Sequence, residues 1–176
     1  MAQGVQPAGV AKRGGSATVD DVLAAARSVI TGAHLCFLAT SGADSGPHVR
    51  LMQQFETDEN FTTWLGTGRA TRKVEDIVRR REVTVAFQGA DGASYACLSG
   101  SARIVDDAAT KRRYWREEWK EFFPGAPDGG DYVVIAVTAD RLEVVDFPAH
   151  IEPPPYGVAA AVAERGSTGW VLGTPA

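Results

Sequence analysis

The sequence predicts a mainly β (α+β) protein in which an antiparallel sheet of six or seven strands closes into a small barrel with flanking helices. Short apolar runs of strand length follow one another through brief polar turns. They lack the long helical crossovers that parallel strands require. No G-x-G-x-x-G motif follows a first strand, which disfavours a Rossmann-type nucleotide site.

The length and composition fit one soluble globular domain. The 176 residues carry a formal net charge of −4, which argues against broad nucleic-acid binding through overall charge. No apolar run approaches the roughly 20 residues that a membrane-spanning helix needs, and no apolar signal core is seen near residue 1. We therefore expect a cytoplasmic protein without nucleic-acid or membrane partners.

Cys36 and Cys97 lie in apolar runs, which predicts buried free thiols rather than a disulfide. No C-x-x-C pair occurs, and no metal site is predicted.

Three segments are predicted along the chain: a disordered leader over residues 1–17, a main domain over 18–147 and an extension over 148–176. The leader is rich in Gly, Ala and Gln and poor in bulky apolar residues. Thr18 and Asp21 have the spacing of a capping box, and apolar residues at helical spacing then predict a helix over 19–31.

Alternating or apolar runs predict the strands of the first half, over residues 34–40, 47–55, 61–67, 82–88 and 93–105. Gly100 inside the last of them predicts a bulge or a close approach of another backbone. Between the third and fourth strands, Thr71 is predicted to cap a helix whose buried face carries Val74, Ile77 and Val78.

The second half is predicted to begin with a helix from Asp106 to about Phe123. Two strands, over 132–137 and 142–147, follow a Pro/Gly-rich loop, and residues 138–141 join them. Residues 148–176 are predicted to be irregular, with a short helix near 157–164 at best. The predicted long helix places four aromatic residues on one face by their spacing: Trp115, Trp119, Phe122 and Phe123.

The turn from Gly66 to Thr71 leads directly into Arg72 and Lys73 at a predicted helix start. A phosphate group binds well to free helix N-terminal amides next to guanidinium or ammonium groups. Arg50, on the strand before the turn, is a further candidate ligand. The alternative is a solvated basic helix face, and spacing alone leaves both interpretations open. The run at 79–81 is interpreted as surface charge at the helix C-terminus.

At this point the residues resemble a known family, the FMN-binding split barrel of the pyridoxamine 5'-phosphate oxidase superfamily, and more closely its general stress protein branch. The resemblance covers roughly residues 18–147 and rests on several short motifs in a fixed order: PHVR at 47–50, TGRATRK at 67–73, REVTVAF at 81–87, SGSA at 99–102, the aromatic residues 114–119, FPGAPD at 123–128, and the strands ending in VVD at 144–146. It implies a six- to seven-stranded antiparallel split barrel with flanking helices.

The resemblance also implies a homodimer with FMN bound in clefts at the subunit interface. By residue, Arg50 and the pair Arg72–Lys73 match positions that reach the phosphate, and Thr67 matches a threonine near the ribityl chain. The resemblance also implies that the backbone of residues 50–53 runs along the edge of the isoalloxazine ring. The complete set of implied cofactor-binding residues is Arg50, Leu51, Met52, Gln53, Gly66, Thr67, Thr71, Arg72, Lys73 and Tyr95.

The sequence departs from the oxidase branch of that superfamily at two places. A lysine expected after the strand arginine is matched by about Phe55, and the C-terminal pyridoxal-phosphate segment has only the lone candidate Trp170. Vitamin B6 oxidation is therefore not expected. Trp115 and Trp119 are interpreted as packing residues, and His48 is either a proton donor or an ordinary strand histidine.

The sequence is thus interpreted as an FMN-binding flavoprotein of the general stress protein type, acting as a flavin-dependent oxidoreductase on an unidentified substrate. NADH or NADPH is a possible electron donor, and no catalytic residue is identified. One alternative keeps the fold and replaces FMN with the deazaflavin F420. The other is a flavin-binding stress protein without catalysis.

Overall fold

The computed structural model describes residues 17–42, 46–151 and 159–174. Three α-helices and a 3₁₀ helix accompany eight strands. The helices are α1 Val19–Gly32, α2 Arg72–Arg79, α3 Ala108–Arg113 and the 3₁₀ helix Glu117–Trp119. The strands are β1 Leu35–Ser41, β2 Pro47–Thr57, β3 Thr62–Gly68, β4 Glu82–Gln88, β5 Tyr95–Val105, β6 Tyr132–Val145, β7 Ala161–Gly166 and β8 Gly169–Leu172.

Six of the strands form a closed antiparallel barrel. The sheet order is β3-β2-β1-β4-β5-β6, and β3 also pairs with β6, which joins the two ends of the order. That closing ladder runs from Thr62 opposite Thr138 to Gly68 opposite Tyr132. The predicted antiparallel barrel is confirmed, and strands β7 and β8 extend the sheet beyond β6.

Helix α1 packs its apolar face into the main core of the barrel. The predicted capping box is present: Thr18 Oγ1 accepts from the Asp21 amide, and the Asp21 carboxylate accepts from the Thr18 amide. Val22, Ala26 and Ile30 are buried in the same apolar cluster as the inward side chains of the strands. One face of the helix therefore covers the barrel core, while Asp20, Ala24 and Ser28 on the other face are exposed.

Strand β6 is one continuous strand, so the prediction of two strands joined by residues 138–141 is wrong. The register against β5 changes at one point, where Ser99 lies opposite Arg141 and Gly100 opposite Ala139. Asp140 is left as an extra residue, and the strand continues through this bulge. The predicted close approach at Gly100 is confirmed, because a Cβ there would lie 2.1 Å from the Thr138 carbonyl oxygen.

The predicted helix over 106–123 is also wrong. Helix α3 ends at Arg113, and only a 3₁₀ turn follows at Glu117–Trp119. The rings of Trp115, Trp119 and Phe123 all pack on Tyr132, whereas Phe122 is 73% exposed. Contacts with a distant strand, rather than helical periodicity, fix the path of this segment.

The segment after β6 was predicted to be irregular with a short helix near 157–164, and this is wrong for its described part. Residues Ala161–Gly166 and Gly169–Leu172 form a β-hairpin that pairs with β6 through β7. Trp170 on this hairpin packs against Phe61, with ring centroids 5.5 Å apart. Residues 1–16 of the predicted leader, and 157–158 of the predicted helix, lie outside the described residues.

Both cysteines are free thiols. Cys36 is buried, and burial raises its pKa to about 12. Cys97 is only half-buried, so its predicted burial holds in part. Within the described ranges, no helix combines the length and apolar character needed to cross a membrane.

Candidate functional site

A cleft opens where β2 and β3 separate. The two strands pair at Gln54 with Leu65 and at Thr57 with Thr63, and the ladder does not continue to residues 51–53 and 66–68. The space between these segments has a volume of about 450 Å³, within the range of small-molecule sites. The lining contains most of the residues predicted to bind a cofactor: Leu51, Met52, Gln53, Gly66, Thr67, Thr71 and Lys73, together with Gly68, Trp119, Phe122 and Phe123.

Aromatic rings form one wall of this cleft and explain the two glycines of β3. A Cβ on Gly66 would lie 2.4 Å from Cζ3 of Trp119, and a Cβ on Gly68 would lie 3.2 Å from Cε1 of Phe123. Trp119 therefore both packs, against Phe55 and Tyr132, and lines the cleft. The interpretation of Trp119 as a packing residue is correct but incomplete.

The glycine turn delivers the start of α2 to the cleft. Thr71 occupies the N-cap position, but its hydroxyl donates to the Gly68 carbonyl oxygen at 2.8 Å instead of accepting from the helix. The predicted side-chain cap by Thr71 is therefore wrong. The Val74 amide donates to the Thr71 carbonyl at 2.9 Å, so the first-turn amides suited to an anion are those of Arg72 and Lys73.

Lys73 places a half-buried cation in the cleft wall. Its Nζ donates to Oγ1 of the buried Thr67 at 2.9 Å. Burial lowers the pKa of Lys73, and the charge of Arg50 lowers it further. Across the described part of the chain, no carboxylate lies within ion-pair distance of Lys73. An anionic ligand would supply the missing negative charge.

Arg50 is held beneath α2 and does not line the cleft. Its Nη1 donates to the Leu38 carbonyl at 3.2 Å and to Thr40 Oγ1 at 2.8 Å, and its Nη2 lies 3.6 Å from Oδ2 of Asp76. Burial lowers the pKa of Arg50, and the nearby charge of Arg72 lowers it further against the opposing effect of Asp76. Direct contact of Arg50 and of the exposed Arg72 with a phosphate stays a prediction.

Asp76 is a buried residue of the site region that the sequence analysis missed. Its side chain is only 6% exposed, and its Oδ2 accepts from Thr40 Oγ1 at 2.6 Å and lies 2.9 Å from His48 Nδ1. Val78, predicted to belong to the buried face of α2, is instead 71% exposed. The aspartate inside an apolar helical pattern was the one signal in the sequence for a buried polar site. Its partners could not be predicted, because they come from the distant strands β1 and β2.

The Asp76 carboxylate stays charged despite its burial. Desolvation favours the neutral form, but the hydrogen bonds with Thr40 and His48 and the charge of Arg50 outweigh it and lower the pKa. The His48 ring also packs against Gly42, where a Cβ would lie 2.3 Å from its Cε1. His48 thus belongs to this buried network, and it does not line the cleft.

Tyr95 lies away from the cleft of its own chain. It begins β5, opposite Gln88 on β4 and Val145 on β6. Burial raises the Tyr95 pKa, with smaller contributions from Cys97 and Glu143. Its predicted contact with a flavin stays a prediction. Among the described residues, no group of three or more His, Cys, Asp and Glu side chains is arranged to hold a metal ion.

We expect Asp76→Asn to destabilise the fold, because a similar shape without the charge leaves Arg50 poorly compensated. The expected loss is about 1.5–3 kcal/mol at pH 7, the scale of hydrogen bonds to charged groups. Because the folded-state pKa of Asp76 lies below its unfolded value of about 3.9, its contribution is complete above that pH. The stabilising contribution of Asp76 is lost as the pH falls through the lower pKa of the folded state.

Urea unfolding of both proteins at pH 7 and at pH 3 measures this difference. Val78→Asn, at an exposed position of the same helix, is the matched control. Equal stability of wild type and Asp76→Asn at pH 7 would contradict the assigned role of the carboxylate.

Solved structures of other proteins have a similar fold. General stress protein 26 from Bacillus anthracis str. Sterne is 26% identical, with a TM-score of 0.60 over 73% of this chain and 93% of that chain. A protein from Clostridium acetobutylicum related to general stress protein 26 of B. subtilis is 20% identical, with a TM-score of 0.64 over 79% and 96%. A pyridoxamine 5'-phosphate oxidase-related, FMN binding protein from Nostoc punctiforme PCC 73102 is 12% identical, with a TM-score of 0.63 over 90% and 94%.

No curated protein matches the sequence. The family model described as pyridoxamine 5'-phosphate oxidase like, however, matches residues 21–151, which contain the whole barrel and every residue of the cleft. The chain therefore belongs to the pyridoxamine 5'-phosphate oxidase-like family.

Proposed function

We propose that this chain binds FMN in the cleft between β2 and β3 and acts as a flavin-dependent oxidoreductase. The observation that carries the proposal is Lys73: a half-buried ammonium group with a lowered pKa that points its Nζ at Thr67 without a carboxylate partner among the described residues. In a chain of net charge −4, Lys73, Arg50 and Arg72 form a local positive field that a phosphate dianion would neutralise.

The rest of the cleft fits the other parts of FMN. Thr67 offers a hydroxyl group beside Lys73, and Leu51 and Trp119 offer apolar surface at the same opening. The FMN binding protein from Nostoc punctiforme has the same fold, which supports the choice of cofactor. The match to the family model supports the same choice.

FMN, when bound, supplies the redox chemistry of the reaction. In the proposed mechanism, Lys73 and the first-turn amides of α2 hold the phosphate and thereby fix the cofactor's position along the cleft. The backbone of residues 51–53 orients the ring, and the wall formed by Trp119 and Phe123 excludes water from one side. NADH or NADPH is proposed as the electron donor.

Two alternatives remain within this site. The deazaflavin F420 also carries a phosphate, and a flavin-binding stress protein without catalysis would use the same contacts. We expect purified protein to show the absorbance of an oxidised flavin and to release FMN on denaturation, identified by chromatography. Release of F420 would favour the first alternative. Anaerobic addition of NADH or NADPH should bleach the flavin, and a flavin that never bleaches would favour the second.

We expect Lys73→Met to weaken FMN binding, because the variant keeps the apolar stem and removes the charge. The expected loss is about 1.5–3 kcal/mol, the scale of a charge-assisted hydrogen bond, or roughly a 10- to 150-fold rise in Kd. Fluorescence titration with FMN and with riboflavin measures it. Riboflavin, which lacks the phosphate, should bind both proteins alike.

Arg80→Met is the matched control for Lys73→Met, since Arg80 is an exposed cation at the end of α2. Its Kd for FMN should match that of the wild type. An unchanged FMN affinity in Lys73→Met would contradict the assignment of Lys73 to the FMN phosphate.

We further propose that the protein is a homodimer with the cleft at the subunit interface. The outer face of the barrel carries a row of side chains that are adjacent by strand register: Leu51, Phe37, Ala86 and Cys97. Phe37 is 48% exposed and Leu51 is 54% exposed. An apolar face of this kind is typical of an association site. Leu51 also lines the cleft, so a second copy on this face would border the site.

Tyr95 belongs to β5 of the same sheet, two residues from Cys97 and therefore on the same outer face. In the proposed dimer, this face of one copy lies against the cleft of the other. Contact of Tyr95 with FMN is therefore proposed across the interface rather than within one chain.

We expect Phe37→Glu to convert the dimer into a monomer, because the new charge would be buried at the interface but solvated in the single chain. Light scattering measures the mass, and FMN titration should show weaker binding. Val78→Glu, on the exposed side of α2, should stay dimeric. A wild-type monomer that still binds FMN tightly would show that the interface model is wrong.

A further inference from the structure

The aromatic wall runs along β3 in a defined direction. Trp119 covers Gly66, and Phe123 covers Gly68, two residues closer to α2. The Cβ position of Gly68 lies 3.2 Å from Phe123 Cε1 and 3.4 Å from Thr71 Cγ2. Phe123 therefore stands beside the turn that leads into α2, at the end of the cleft where Thr71 and Lys73 are found.

The loop that follows Phe123 is fastened to the same turn. The Arg69 amide donates to the Asp131 carbonyl at 2.9 Å, and Arg69 Nε donates to the Gly130 carbonyl at 2.5 Å. Lys111 Nζ, almost fully buried, donates to the Gly129 carbonyl at 2.8 Å. Asp106 forms ion pairs with both Arg69 and Lys111. These contacts are called the loop clamp below.

The loop clamp limits how far Phe123 can move away from the cleft. The backbone carbonyls of residues 129, 130 and 131 all accept hydrogen bonds from the clamp. The two cations of the clamp, Arg69 and Lys111, both pair with the carboxylate of Asp106. A ligand that extended past the anion position would have to displace a packed ring and the loop behind it. Forcing extra atoms into a packed region is costly.

We propose that Phe123 is a specificity-determining residue that closes the anion end of the cleft. The cleft then accepts a terminal phosphate monoester and rejects ligands whose chain continues beyond the phosphate. FMN belongs to the first class. FAD and F420 belong to the second, because the phosphate on the ribityl chain continues through an anhydride bond to AMP in FAD and through a second ester bond in F420. This inference rests on the proposed flavin site and adds the chemical class of phosphate that the site selects.

Calorimetric titration of the full chain, freed of bound cofactor, tests the inference with riboflavin, FMN, FAD and F420. Wild type should bind FMN at least roughly 30-fold more tightly than FAD, within the range of steric discrimination by a pocket. Phe123→Ala should lower the ratio of the FAD Kd to the FMN Kd by about tenfold, even where opening the aromatic wall weakens FMN binding itself. F420 should follow FAD.

Two further variants keep the test decisive if Phe123→Ala does not fold. Phe123→Leu retains apolar bulk and should give an intermediate shift toward FAD. Arg69→Met keeps the Phe123 side chain but removes one side of the loop clamp, so Phe123 can move away from the cleft and the preference should also shift toward FAD. Arg80→Met is the matched control, because it removes an exposed cation at the far end of α2. Its preference for FMN should equal that of the wild type.

The outcomes separate this inference from the proposed function. Equal binding of riboflavin and FMN by the wild type would overturn the phosphate site, and the inference with it. Tighter binding of FMN than of riboflavin, together with equal binding of FMN and FAD, would leave the site intact and overturn the role of Phe123. Tight F420 binding by the wild type, or no shift in any of the three variants, would overturn it as well.

Discussion

The pairing of β3 with β6 is the constraint on which the rest of the structure depends. Every residue of β3, from Thr62 to Gly68, pairs with β6, whereas its ladder with β2 stops at Leu65. Because β3 separates from β2 while it continues to pair with β6, the barrel closes and the cleft opens. At the end of β3 that leads to α2, the outer face has no room for side chains, because the rings of Trp119 and Phe123 pack directly on Gly66 and Gly68. Closure, cleft and aromatic wall are therefore one arrangement.

Charge is distributed unevenly around that arrangement. Asp76 lies within ion-pair distance of Arg50, and Thr40 and His48 contact the same carboxylate, so this cation belongs to a buried network. Among the described residues, Lys73 Nζ donates one hydrogen bond, to the Thr67 hydroxyl, although burial already lowers the pKa of Lys73. An ammonium group held half-buried without a carboxylate costs stability, and such costs concentrate at functional sites. The contrast between the two cations, rather than the number of basic residues, distinguishes an anion site from a basic surface.

Local patterns predicted much of the fold and the turn that brings Lys73 to the cleft, whereas residues 51–53 of the cleft lining were named from the family resemblance. The glycine turn before Lys73, the capping box at Thr18 and the short antiparallel strands depend on neighbouring residues, which a sequence displays directly. The wrong predictions concern features that depend on residues far apart in sequence. Asp140 is a bulge only because of the β5 register, and the aromatic segment leaves helical geometry because Tyr132 offers a packing surface. Such partners are far apart in sequence, so propensity and periodicity do not reveal them.

Leu51 connects the cleft with the outer face of the barrel. Its side chain lines the cleft, yet it also stands opposite Phe37 in the exposed apolar row. A second copy covering this row, as proposed, would remove water from the opening as well as from the face. Electrostatic attraction strengthens as the local dielectric falls, so Lys73 would hold an anion more firmly in the dimer than in a single chain. Assembly and ligand binding would then favour each other. Assembly would cover the exposed apolar face of the isolated barrel, and ligand binding would compensate the charge of Lys73.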